Sequence, residues 1–253
     1  MQIHSSPSPN FDQRKYRLDM LVLHYTGMET GGAALARMRD PAAKVSAHYM
    51  LWEDGRVDQL VDAADRAWHA GVSSWQGDED LNSRSIGIEI VNGGHDFPRP
   101  DGALPPYPQT QIDALIELCH LILADHDIPQ TRIVGHSDIA PSRKQDPGEH
   151  FPWERLARAG IGIWPDVEGT QNTGIDGKGL TPGETGASVR QMQKFLAEIG
   201  YGLPVNGTYD ELTEAVVRAF QRRWLPERLS GTADIQTLRR IDVIHALYGA
   251  SAS

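Results

Sequence analysis

The sequence predicts an α/β layered domain followed by a small bundle of three helices. Its 253 residues are enough for one large domain or two modest ones. Up to about residue 165, short runs rich in β-branched and aromatic residues are interleaved with segments of helical periodicity, which is typical of α/β layers. Towards the C-terminus, three further segments carry apolar residues at helical spacing.

Strands are predicted in three runs of the first part: LDMLVLHYT at 18–26, AHYMLWED at 47–54 and SIGIEIVN at 85–92. Each run is rich in β-branched or aromatic residues and is bounded by Gly, Asp or Asn. Asp54-Gly55 separates two strand-like runs, and this dipeptide is a short-range signal for a β-hairpin.

Helices are predicted at 30–40, TGGAALARMRD, and at 108–127, PQTQIDALIELCHLILADHD. In the second segment Thr110 precedes the apolar stripe and is the expected N-cap. Cys119 lies on that stripe, so we expect a buried thiol. As the single cysteine of the chain, it also excludes an intrachain disulfide framework.

The predicted domains are 1–165, a linker at 166–185 and a helical domain at 186–253. The linker is rich in glycine, threonine and polar residues and has no periodicity. The helical domain is about 65 residues long and contains the segments SVRQMQKFLAEIGY, YDELTEAVVRAFQRRW and ADIQTLRRIDVIHALYG. That size is close to the minimum for independent stability.

The charge and the apolar content of the chain bear on which partners and which cellular location are expected. The formal charge of −10 argues against nucleic acid, because phosphate binding needs a surplus of Lys and Arg. No apolar run reaches eighteen residues, so no transmembrane helix is expected. The N-terminal segment shows no basic start followed by an apolar stretch, so a cytoplasmic location is expected.

Two histidines lie where α/β domains place their functional sites. His24 ends the apolar run MLVL, and His136 follows Ile133-Val134-Gly135 in the same way. Asp146 follows ten residues later, in an irregular Pro- and Gly-rich stretch. Two imidazoles and one carboxylate would leave the fourth position of a tetrahedral zinc site open, as in catalytic sites. On spacing alone, structural roles for these residues remain open.

Five sequence blocks resemble the zinc-dependent N-acetylmuramoyl-L-alanine amidase family over about residues 18–160: LVLHYT, SAHYMLWEDGRV, AWHAG, NSRSIGIEIVN and VGHSDIAPSRKQDPGEHFPW. The resemblance implies a central mixed β-sheet flanked by helices, and Zn²⁺ bound by His24, His136 and Asp146. Phage-type members carry cysteine at the third position, whereas the bacterial recycling and wall-turnover branch carries aspartate. The resemblance therefore implies an enzyme of that branch.

Two further residues complete the mechanism that the resemblance implies. Glu89 alternates with Ile88 and Ile90, and a carboxylate in an apolar strand is costly unless it is paired or used. The resemblance makes Glu89 the proton acceptor and donor of the hydrolysis. It makes Lys144 a group that stabilises the transition state, although a lone lysine in a loop is otherwise only a solvated charge.

Other histidines are weaker candidates. His69, in the block AWHAG, matches a cleft-lining position of the family, and structural packing is the alternative. His48 and His150 are expected to be structural. Ala47 stands where phage-type relatives carry a catalytic tyrosine, which fits proton transfer by Glu89. His4 is expected in a loose N-terminal segment.

The C-terminal helices resemble a small peptidoglycan-binding domain found on many wall hydrolases. Such a domain favours a periplasmic location as the alternative to the cytoplasm. The expected partner is peptidoglycan or a soluble muropeptide. A noncatalytic recognition module and a zinc peptidase acting on the stem peptide remain alternative functions. The sugar end-group, the stem-peptide preference and the oligomeric state do not follow from the sequence.

Overall fold

The computed structural model describes residues 1–165 and 178–250. In these ranges lie eight strands: Ile3–Ser5 (β1), Phe11–Gln13 (β2), Met20–Tyr25 (β3), Tyr49–Leu51 (β4), Val57–Gln59 (β5), Asp65–Ala67 (β6), Ser85–Ile90 (β7) and Ile133–Gly135 (β8). They also contain seven α-helices: Gly31–Arg39 (α1), Gln109–Asp125 (α2), His136–Ile139 (α3), Trp153–Arg158 (α4), Ala187–Ile199 (α5), Glu211–Trp224 (α6) and Ile235–Ala250 (α7). None of these helices is both long and apolar enough to cross a membrane.

Six strands form one mixed sheet in the order β1-β5-β4-β7-β3-β8, which confirms the predicted fold class. The β4–β5 pair is antiparallel and all other neighbours are parallel. Residues 52–56 connect β4 to β5, so the hairpin predicted at Asp54-Gly55 is confirmed. The carboxyl ends of β3, β7 and β8 therefore lie side by side at one edge of the sheet.

Alternating side chains on β3 pack into two different cores on opposite faces of the sheet. Leu21 and Leu23 pack with α2 and α4 on one face of the sheet. Met20 and Val22 face the opposite way and pack in a cluster that includes residues of α5, α6 and α7. Because side chains alternate along a strand, His24 continues the series of Met20 and Val22, on the face covered by the C-terminal helices.

The three predicted C-terminal helices are present, but their core is continuous with that of the sheet. Trp75 and Val134 of the first part belong to the same buried cluster as Phe220 of α6. Residues 219–224 of α6 are all buried, and a helix enclosed on every side needs partners on more than one face. α5 and α7 cover one side of this region, and the sheet domain covers the other.

The linker predicted at 166–185 falls mostly on residues 166–177, which lie outside the described residues. Its last part belongs to the helical region, because Leu180 pairs with Ala233 and Thr185 pairs with Thr208 in isolated β-bridges. Residues 180–185 therefore pack as part of the C-terminal helical region, although they precede α5.

Two local expectations were wrong. Thr110 does not cap α2: the helix begins at Gln109, and the Thr110 hydroxyl donates to the carbonyl of Glu53. His4 does not lie in a loose segment but in β1, where it pairs with Asp58 of β5. Both outcomes depend on partners more than fifty residues away, which local sequence patterns do not reveal.

Candidate metal centre

The sheet brings the three predicted metal ligands together. His24 lies near the end of β3, and His136 directly follows β8, which is the parallel neighbour of β3. Asp146 returns to this edge because its carbonyl accepts a hydrogen bond from the backbone N–H of Ser137 at 2.9 Å. Gly135 leaves the necessary room, since a Cβ there would lie 2.7 Å from Cδ of Pro147.

One atom from each side chain points to a common centre. Nδ1 of His24 lies 2.9 Å from Nδ1 of His136, and each nitrogen lies 3.0 Å from Oδ2 of Asp146. All three residues are buried, and they form a group that can hold a metal ion. Two imidazole nitrogens and a carboxylate oxygen are also the donor set expected of a catalytic zinc site, so the residues fit that ion.

The tautomer of His136 leaves a lone pair for the centre. Its Nε2 lies 3.0 Å from the carbonyl oxygen of Ala70, which can only accept a hydrogen bond. Nε2 therefore carries the proton, and Nδ1 presents its lone pair to the centre. Histidine ligands of metals are usually oriented in this way by a carbonyl or carboxylate behind them.

A chain of hydrogen bonds fixes His24 in the same manner. The hydroxyl of Ser85 donates to the carbonyl of Leu81 at 2.6 Å, so its oxygen accepts from Nε2 of His69 at 3.2 Å. Nδ1 of His69 is then the acceptor for Nε2–H of His24 at 3.0 Å. The lone pair of Nδ1 of His24 is left facing the centre. His69 is therefore a hydrogen-bond partner of a predicted ligand, which the sequence analysis did not foresee.

Burial favours the neutral imidazoles of His24 and His69, and the neighbouring histidines favour the ionised carboxyl of Asp146. Burial, reinforced by His136, lowers the pKa of His24 to about 4, and burial also lowers the pKa of His69 well below its usual value. Burial alone would raise the pKa of Asp146, but His136 and His24 lower it below its ordinary range. Neutral imidazoles and an ionised carboxylate are the protonation states that bind metals.

Glu89 lies beside the three donors. It pairs with His24 in the register of β3 and β7, while Ile88 and Ile90 point into the opposite core. Its Oε2 is buried and has no hydrogen-bond partner among the described residues. Burial, and then the charge of Asp146, raise the pKa of Glu89 well above its usual value.

Lys144 completes the predicted set. Together with Glu89, His136 and Asp146 it lines a cavity of about 320 Å³. Lys144 is half-buried and has no ion-pair partner in the part of the chain that the structure describes. The structure thus brings all five predicted site residues to one place.

The other weighed residues lie around this centre. His69 lines the cavity as well as bonding to His24. His48 accepts a hydrogen bond from the backbone N–H of Gly87, and His150 stacks on Tyr107 with ring centroids 4.8 Å apart. Neither His48 nor His150 belongs to the donor group.

Two residues that the sequence analysis did not single out also line the cavity. Arg143 donates to the carbonyl of Ala70, the same oxygen that orients His136. Tyr25 follows His24, and its hydroxyl lies 2.9 Å from Nδ1 of His95. Their only sequence signal is their position next to predicted site residues, since Arg143 precedes Lys144.

Comparisons with known proteins identify the family of this chain. Residues 14–149 match the family model N-acetylmuramoyl-L-alanine amidase, and residues 185–241 match the model of a peptidoglycan binding domain. The N-acetylmuramoyl-L-alanine amidase AmiD of Escherichia coli is 36% identical over 240 residues, which cover 92% of this chain and 84% of AmiD. The 1,6-anhydro-N-acetylmuramyl-L-alanine amidase AmpD of Haemophilus influenzae is 38% identical over 168 residues, covering 58% of this chain and 86% of AmpD.

Similarity extends to the three-dimensional structure. A structure of the Escherichia coli AmiD, in complex with the substrate anhydro-N-acetylmuramic acid-L-Ala-D-gamma-Glu-L-Lys, superposes with a TM-score of 0.80 at 35% identity. The superposition covers 92% of this chain and 91% of that one, so it includes both the sheet domain and helices of the C-terminal region.

Proposed function

Because the chain belongs to the N-acetylmuramoyl-L-alanine amidase family, we propose that it hydrolyses the amide between N-acetylmuramic acid and L-alanine in peptidoglycan or muropeptides, using zinc. The observation that carries this proposal is a group of three metal-donor residues, two of which, His136 and Asp146, line one cavity with Glu89 and Lys144. The substrate bound by the related AmiD, an anhydro-muropeptide, supports this class of amide.

His24, His136 and Asp146 would hold the zinc. When bound, zinc supplies a Lewis acid that polarises a carbonyl and acidifies water. Hydrogen bonds fix the tautomers of both histidine ligands. The carbonyl of Ala70 fixes that of His136, and His69 fixes that of His24. The donors are therefore oriented before the ion arrives.

Glu89 is the proposed proton carrier. Its carboxylate would accept a proton from the attacking water as the new C–O bond forms, and would then deliver that proton to the leaving nitrogen of L-alanine as the C–N bond breaks. A general base works best when its pKa lies near the working pH, and burial raises the pKa of Glu89 in that direction.

Lys144 is the proposed stabiliser of negative charge. Its ammonium group lines the same cavity as Glu89 and is not neutralised by an acidic partner in the described residues. It would therefore act on the oxyanion that develops on the carbonyl oxygen. Groups of this kind commonly contribute on the order of 10²–10³ in rate.

The C-terminal helices are proposed to bind peptidoglycan, in keeping with the model that matches residues 185–241. The preferred sugar end of the substrate would indicate the working compartment. Preference for 1,6-anhydro ends would fit soluble turnover fragments and a cytoplasmic enzyme. Preference for reducing ends or intact wall would fit the periplasm. The compartment stays a prediction.

Mass spectrometry of defined muropeptides, anhydro and reducing, tests the proposed function. Zinc-loaded enzyme should release free peptide beginning with L-alanine, and a chelated sample should not. Glu89→Gln protein, loaded with zinc in the same way, is the matched control and should leave the substrate intact. Fragments cut within the stem would establish a peptidase instead, and intact substrate that binds the wild type would establish a recognition module.

A further inference from the structure

A buried ion pair joins the C-terminal region to the segment that carries His136. Nη1 of Arg223, on α6, lies 2.9 Å from Oδ2 of Asp138, on α3. The two side chains are only 2% and 1% exposed, respectively. The hydroxyl of Tyr201 donates to the other carboxylate oxygen of Asp138 at 2.9 Å. Both side chains that bond to the Asp138 carboxylate thus come from residues beyond 200, although Asp138 lies two positions from a proposed metal ligand.

Arg223 contacts this segment on both sides of His136. Its Nη2 donates to the carbonyl of Ile133 at 3.0 Å, at the start of β8. Oδ2 of Asp138, which Arg223 holds, also accepts from the backbone N–H of Gly135 at 2.8 Å. The guanidinium stacks over the ring of Trp153 at 4.2 Å. One side chain of α6 therefore bonds to residues on both sides of the turn from β8 into α3.

The preceding residue of α6 reaches the segment that carries Asp146. Nη2 of Arg222 donates to Oε1 of Gln145 at 3.2 Å, and its Nε lies 3.4 Å from Oε2 of Glu149. Glu149 in turn bonds to His95, whose other ring nitrogen meets the hydroxyl of Tyr25 in the wall of the cavity. Two adjacent arginines thus contact the flanks of both His136 and Asp146.

We propose that α6 positions the two metal-binding segments through Arg222 and Arg223. The C-terminal region is then part of the scaffold of the metal centre, in addition to any binding of the wall. Neither arginine touches the donor atoms, so both are positioning residues. The inference rests on the proposed function in one respect, namely that His24, His136 and Asp146 bind zinc.

Zinc affinity of full-length variants tests this inference. Competition with a chromophoric chelator should show that Arg223→Met binds Zn²⁺ about 10-fold more weakly than the wild type, the lower end of the loss caused by changing residues that hold metal ligands in place. The absorption spectrum of the Co²⁺-loaded protein should also change, because the geometry of the ligands changes. The control is Ile244→Ala, which opens a cavity in the same core but removes only an apolar side chain of α7, so no ion pair to either segment is lost.

The outcomes distinguish two roles for the arginines: positioning of the metal-binding segments, or stabilisation of the fold alone. If Arg223→Met and Ile244→Ala lower the melting temperature alike, while both keep wild-type zinc affinity and Co²⁺ spectra, the inference is wrong. If Arg223→Met does not fold, Arg222→Met is decisive: a weakened affinity supports the inference and an unchanged one overturns it. Absence of zinc binding by the wild type would instead overturn the proposed function.

Discussion

His24 and Glu89 occupy paired positions on the neighbouring parallel strands β3 and β7. Sixty-five positions apart in sequence (from 24 to 89), they become adjacent because parallel strands in register bring equivalent positions together. A metal donor and a buried carboxylate therefore share one face of the sheet. This pairing places the proposed proton acceptor beside the proposed metal centre, and both residues of the pair lie on strands.

Glu89→Gln should stabilise the metal-free protein at neutral pH. The folded protein raises the pKa of Glu89, so it disfavours the ionised form relative to the unfolded chain. Below about pH 4.3 the side chain is neutral in both states, and the two proteins should then differ little. As pH rises above that value, the wild type loses stability that the glutamine variant keeps.

Urea unfolding in the presence of a chelator measures this difference. An advantage of about 2 kcal/mol for Glu89→Gln is expected at pH 7, from the cost of a buried unpartnered charged group. The advantage should shrink towards zero near pH 4. Equal stability of the two proteins across this range would show that Glu89 is not destabilised in the fold.

Gly87→Ala should disturb the metal centre through His69. A Cβ at position 87 would lie 2.5 Å from Cγ of His69, so the ring that holds His24 must move. Zinc affinity should fall about 10-fold, as for other changes to the partners of metal ligands. Gly32→Ala is the matched control, since its Cβ would meet nothing closer than 4.0 Å. Equal zinc affinity of the two variants would contradict the role of His69.

The hydrogen-bond chain behind His24 predicts the tautomer of His69. Ser85 donates to the carbonyl of Leu81 and must accept from His69, so the proton of His69 belongs on Nε2. Long-range ¹H–¹⁵N correlation spectra distinguish the two tautomers directly. We expect the Nε2–H form in the wild type, and a signal of the Nδ1–H form would reverse the inferred direction of the chain.

Lys144→Met should reduce turnover without releasing the metal. Loss of a charge that stabilises the transition state is expected to lower kcat by about 10²–10³. Zinc affinity should stay near that of the wild type, because Lys144 is not one of the donors. Lys194→Met, an exposed change on α5, should leave both quantities unaltered. A lost zinc ion in the Lys144 variant would assign the lysine a structural role instead.

Local patterns predicted the elements that form the site. The apolar runs that end in His24 and in Gly135 become β3 and β8, because each lies between two cores and is buried on both faces. The alternation around Glu89 placed that carboxylate opposite two buried isoleucines, as observed. The family resemblance then supplied the grouping of the five site residues.

Long-range packing accounts for what the sequence did not reveal. His69 contacts His24 only because Gly87, on β7, has no side chain and so leaves room for the ring of His69. Arg222 and Arg223 look like the charged end of an amphipathic helix, yet both are buried against the sheet domain. Helical periodicity identifies which residues share a face, but it does not identify what covers that face.

Zinc held by His24, His136 and Asp146 underlies the proposed hydrolysis, and metal analysis of purified protein tests it most directly. Wild-type protein should contain about one zinc per chain. His136→Ala should retain little zinc and release no L-alanyl peptide from muropeptides. His245→Ala changes a histidine of α7 that pairs with Glu198 of α5, and this variant should match the wild type in both measurements. Full zinc content in a folded His136→Ala protein would contradict the proposed metal centre.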